Sequence, residues 1–175
     1  GDSGQDLPIS LDTLLYEVHL DWAWKGLEVR ALAVAAEVDG AGALNDYLVA
    51  NAGEEFDPTA FDPVGEEMQG WYVQLGYDLL SVLRPGSASL TPFVRFEEVN
   101  TQEKVPTGYT ASGQNDTEII TVGLNFKPIE EIVTKVEYQF YDNAANTASD
   151  QLNLGLGYIF WRITKGRDGA PRGPR

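Results

Sequence analysis

The feature that most constrains this chain is the run Asp150-Gln-Leu-Asn-Leu-Gly-Leu-Gly-Tyr-Ile-Phe160. A strand turns successive side chains to opposite faces. Leu152, Leu154, Leu156, Tyr158 and Phe160 therefore share one face, and Gln151, Asn153, Gly155 and Gly157 share the other. One face is unbroken apolar surface ending in aromatics, and the other is small and polar. Such a strand suits a sheet with lipid on one side and water on the other.

The pattern recurs. Strands are expected at about 13–25, 27–38, 69–80, 88–98, 117–127, 132–142 and 150–160. Lys25-Gly26 reads as the first hairpin turn. With Trp24 opposite Leu27, Trp22 meets Val29 and Asp21 meets Arg30, so like faces like and acid faces base. Pro92 removes a ladder donor, which points to an edge, a bulge or the first turn of its strand. Short turns at Lys25-Gly26, near 84–87 and at 128–131 alternate with long loops at 39–68 and 99–116 and a medium one at 143–149. Regular alternation of short and long connections is the habit of an up-and-down barrel in an outer membrane. Greek-key crossings in a soluble sandwich would break it.

If the last strand ends at the short-turn side, that rim collects Trp22, Trp24, Tyr77, Phe126, Tyr158 and Phe160. The opposite rim collects Tyr16, Trp71, Phe96, Tyr138 and Phe140. Between them lie Leu, Val, Ala and Ile. Two aromatic girdles around an aliphatic band are what interfacial anchoring produces. The other face carries Glu17, His19, Asp21, Glu28, Arg30, Gln74, Asp78, Arg95, Glu97, Lys127, Lys135 and Glu137, which would line a pore.

Composition narrows the rest. The chain has 175 residues, 27 acidic and 12 basic, for a net charge of −15. Nucleic acid is not an expected partner, because its phosphates require a basic patch. There is no cysteine and one histidine, so thiolate and His-rich metal centres are excluded. Glu17, His19 and Asp21 point one way, but same-face positions about 6–7 Å apart converge poorly on one ion. No metal or other cofactor is expected. No Gly-x-Ser-x-Gly, P-loop or cysteine nucleophile occurs, and His19 has no serine neighbour on its hairpin, so no enzyme chemistry is expected. No signal peptide opens the chain, as in a processed protein or a fragment. Residues 161–175 are rich in Gly, Pro and Arg and read as a disordered basic tail after a barrel segment at 1–160.

Five segments carry a family resemblance: Tyr16-Glu-Val-His-Leu-Asp-Trp22, Gly70-Trp-Tyr-Val-Gln-Leu-Gly-Tyr-Asp78, Ser89-Leu-Thr-Pro-Phe-Val-Arg-Phe-Glu97, Gly123-Leu-Asn-Phe-Lys-Pro128 and Lys135-Val-Glu-Tyr-Gln-Phe-Tyr-Asp142. With the closing strand they cover most of residues 13–160. In these the chain resembles bacterial outer-membrane porins of the phosphate-selective porin O and P family. The resemblance implies an all-β, antiparallel, up-and-down transmembrane barrel in the outer membrane of a Gram-negative bacterium. It also implies contact with the bilayer and lipopolysaccharide, and passive diffusion of small hydrophilic solutes or ions; a homo-oligomer is compatible with it. That family closes its barrels with a larger, even strand count and usually ends in Phe. Seven strands, with fifteen residues after Phe160, therefore read as the C-terminal part of a larger barrel. An eighth strand near Leu7–Leu11 is the alternative.

Phosphate selectivity needs Arg or Lys concentrated at a constriction. Only Arg30, Arg95, Lys127 and Lys135 are placed for it, against six carboxylates on the same face, so a weak cation preference is expected. The charges could equally form cross-strand pairs that only solvate the wall. The loop at 39–68 carries eight acids and no base. It could steer cations or bridge to lipopolysaccharide through divalent ions, or be only a soluble loop. The competing readings of the whole are a non-conducting structural or adhesion barrel of about eight strands and, more distantly, a soluble glycan-binding sandwich.

Overall fold

A computed structural model describes residues 9–53, 56–58, 60–83 and 88–160. Seven strands form one antiparallel meander in chain order: β1 (Asp12–Trp24), β2 (Leu27–Asp39), β3 (Glu67–Tyr77), β4 (Ser89–Lys104), β5 (Asp116–Ile129), β6 (Ile132–Asn143) and β7 (Gln151–Tyr158). Every strand pairs with its neighbours in sequence. The sheet is not closed into a barrel: among the described residues β1 pairs only with β2, and β7 only with β6.

The first hairpin has the expected register, with Trp24 opposite Leu27, Trp22 opposite Val29 and Asp21 opposite Arg30. Lys25 (φ 49°) and Gly26 (φ 86°) both lie in the left-handed region. A two-residue turn with this geometry matches the twist of its strands. Glu130 and Glu131 connect β5 and β6 without a positive φ, after a register shift between Phe126 and Ile129. Pro92 is opposite Leu124 on β5, while the β3–β4 ladder begins only at Phe93. It thus sits in the first turn of β4, beyond the ladder with β3.

The loop end differs from expectation in two places. A helix, α1 (Ala41–Ala50), occupies the start of what reads as a long loop. Its N-cap is Gly40 at φ 87° with no side-chain cap, so the usual Ser, Thr, Asp or Asn start signal is missing. Strand β4 continues to Lys104, beyond the expected end at 98; Asn100-Thr-Gln-Glu-Lys104 lacks the alternation that would have marked it as strand. At the other end, a short helix α2 (Leu80–Leu83) lies between β3 and β4. The turn expected near 84–87, the tail at 161–175 and the start of the possible eighth strand at Leu7 lie outside the described residues. Ile9, Ser10 and Leu11 are described and form no strand.

Candidate functional site

On β3 to β6 the two faces of the sheet have opposite environments, whereas β1 is exposed on both faces. On the polar face Gln74, Thr91, Thr121, Glu137 and Gln139 are buried, as is Phe93. On the apolar face Leu20 is 53 % exposed, Val73 39 %, Val122 43 % and Leu154 78 %. Among the described residues no second layer covers the polar face over most of its length. Its burial comes from crowding among its own side chains, as in a sheet curled toward that side. Phe93 lies over Gly123, where a Cβ would collide with its ring.

The registers align the polar face into rows running across all strands. One row is Asp21, Arg30, Gln74, Arg95, Thr121, Gln139 and Gln151. Arg30 meets Asp21 (Nε to Oδ2, 3.4 Å) and Glu28 (Nη2 to Oε2, 3.6 Å), and Arg95 meets Glu97 (3.0 Å). Lys135 meets Glu137. Arg95 also lies over Tyr72 (5.5 Å to the ring centre) and Lys135 over Phe93 (5.6 Å). Gln139 donates to Thr121 Oγ1 (3.3 Å) and accepts from Asn153 (2.6 Å). Glu17 contacts His19 Nδ1 (3.3 Å), whereas Asp21 turns to Arg30, so the three do not converge on one point. Lys127 is exposed near the turn end. Asp78 accepts from the backbone N–H of Leu80 (3.0 Å) and Leu90 (2.9 Å), which fastens the β3–β4 connection. The wall is thus a set of local ion pairs interleaved with rings and amides, in which Arg30 Nε, Arg95 Nε, Glu97 Oε2 and Glu137 Oε2 are buried without a hydrogen bond. Tyr72, Phe93, Thr121 and Gln139 stand among the expected charged residues there; strand alternation alone puts them on this face, and the register adds which residues they meet.

The aromatics on the apolar face form two bands. Within them Trp22–Trp24 (6.4 Å between ring centres), Tyr138–Phe140 (4.8 Å) and Tyr158–Phe160 (4.8 Å) are same-face neighbours. The lower band climbs through the register. Gly76 is level with Phe93 and Gly123, so Tyr77 is level with Leu124, and Phe126 lies two residues further on. Phe126 is level with Thr134 and Leu156, and Tyr158 again lies two residues further. The upper band drifts the same way, from Tyr16, level with Gln69, to Trp71, then from Glu98, level with Trp71, to Phe96. The drift is uneven, since Trp24 is level with Tyr77 and Phe96 is level with Phe140. Above the upper band Glu98, Glu118 and Asp142 stand side by side on β4, β5 and β6.

The loop end carries a folded cap. Asn45 of α1, fully buried, donates to Val64 O (3.0 Å) and accepts from Val64 N (2.8 Å). Gln102 of β4, also buried, donates to Asp62 Oδ1 (2.7 Å) and to Pro63 O, and accepts from Ser112 N (2.6 Å). Asn115 donates to the same Asp62 oxygen (2.8 Å). These buried groups are satisfied, so they fix three segments to one another rather than destabilising them. Between the segments lies a cavity of about 790 Å³, bordered by Asp46, Phe56, Phe61, Asp62 and Tyr109. Tyr109 donates to Asp46 (2.7 Å). Partial burial and that hydrogen bond hold its phenol pKa above the ordinary value. Of the eight acids in this loop, Glu54 and Glu55 lie outside the described residues.

The chain is 25 % identical over 146 residues to a protein of Aquifex aeolicus (strain VF5) described as uncharacterized, a match covering 83 % of this chain and 33 % of that protein. The chain thus spans about a third of the length of the relative it matches. No family model matches the chain, and no solved structure matches it.

Proposed function

We propose that these strands are part of a transmembrane β-barrel porin of a Gram-negative outer membrane, passing small hydrophilic solutes or ions by diffusion. The observation that carries the reading is the inverted burial of β3 to β6: there the polar face is packed and the apolar face is open. A water-soluble protein covers an apolar surface of this extent. Lipid is the solvent in which leaving it open costs nothing. The sorting of exposed aromatics into two bands on the apolar face supports this, since aromatic girdles flank the apolar band of outer-membrane barrels. The segment resemblance to the porin O and P family agrees with it.

The polar face then lines the lumen. Its carboxylates outnumber its bases, and its ion pairs are local. Among the described residues no arginine ladder favours phosphate, so this part of the wall would give the pore a weak cation preference. The test is the reversal potential of the protein in a planar bilayer under a KCl gradient. A shift to the cation side that grows as salt is lowered is the expected result, because screening weakens. Anion preference at low salt would overturn the cation reading and restore the phosphate one. Stable insertion without conductance would favour the structural barrel.

A further inference from the structure

We propose that the cap at the loop end binds a small organic ammonium ion in the cavity between Asp46, Phe61, Asp62 and Tyr109, a site separate from the lumen wall. The cavity, about 790 Å³, falls within the range of small-ligand sites and has a mixed lining. Phe61 lies between two other rings, 5.7 Å from Phe56 and 5.9 Å from Tyr109. The rings are set edge-on and tilted to one another, at 63° and 52°, and a cation placed over one of their faces would be attracted to it.

Charge selects the ligand. Asp46 and Asp62 border the cavity, and among the described residues no Lys, Arg or His does. Both carboxylates are hydrogen-bonded, but by neutral donors: the Tyr109 hydroxyl, and the Gln102 and Asn115 amides. Those bonds all reach Oδ1. The nearby Lys104 is held by Glu66 (3.4 Å) and Glu67 (3.0 Å). Two negative charges are therefore solvated without being neutralised, beside an aromatic surface. An anion would be repelled, and a neutral sugar would leave the charge unmet. The Asn45 and Gln102 networks hold the site in shape before a ligand arrives, which lowers the ordering cost of binding.

The test is calorimetric titration of the detergent-solubilised protein with choline chloride. The neutral isostere 3,3-dimethylbutan-1-ol and matched potassium chloride are the comparison titrants. Saturable choline binding is expected, with the isostere binding at least tenfold more weakly. Phe61→Leu keeps apolar volume and removes the π-face; it should weaken choline about threefold to thirtyfold. Asp46→Asn is isosteric at an exposed position and removes only charge; it should weaken choline while leaving the isostere unchanged. No saturable binding, equal binding of the isostere, or indifference to both substitutions would overturn the proposal. Because binding is read without conductance, the outcome is independent of whether the barrel conducts.

Discussion

Thr121 and Val122 are neighbours in the chain with opposite surroundings, one fully buried and the other 43 % exposed. The alternation that separates them was legible residue by residue, because the period of a strand is two. What each polar side chain touches was not. Asp78 alternates with the lumen residues, yet its carboxylate is spent on two backbone N–H groups of a turn. Burial at Thr121 also makes it a poor place to test the lumen, since an arginine there would overpack its neighbours. His19 and Leu20 are the better pair: both are exposed, adjacent, and midway along β1. Leu20→Arg should destabilise the bilayer-inserted protein by about 2–4 kcal/mol, and His19→Arg, beside Glu17, by far less. Reversible unfolding from lipid vesicles measures both, and equal effects would mean that Leu20 does not face lipid.

Among the elements, the hairpins were legible and the loop-end cap was not. The β1–β2 register follows from Trp24, Trp22 and Asp21 finding matched partners around a two-residue turn. The turn is specific: Gly26 has φ 86°, and a Cβ there would strike the Ser81 hydroxyl. Gly26→Val should therefore destabilise the protein by about 1–2 kcal/mol from the left-handed backbone alone. Denaturant unfolding would show the midpoint fall, whereas an unchanged midpoint would mean that the turn can relax at no cost. Helix α1 escaped notice because a glycine starts it and a glycine is its second residue. The continuation of β4 escaped because it alternates in neither polarity nor size. Both are fixed by long-range polar contacts of Asn45 and Gln102, which leave no periodic trace in sequence.

At the scale of the molecule, strand direction limits how the sheet can be completed. In an antiparallel meander of seven strands, β1 and β7 run the same way. They cannot meet as antiparallel neighbours, so an antiparallel barrel closes only with an odd number of further strands between them. The seven-strand reading of the sequence stands, while closure belongs to the proposal.

The most direct measurement is the accessibility of single spin labels in bilayers. Labels at Leu20, Val73, Val122 and Leu154 should collide with lipid-soluble oxygen, and labels at His19, Gln74 and Asn153 with a water-soluble nickel chelate. Alternation of that sign on β1, β3 and β7 is the expected result. Nickel-accessible apolar positions, or reversed accessibility on two strands, would contradict a lipid-facing apolar surface.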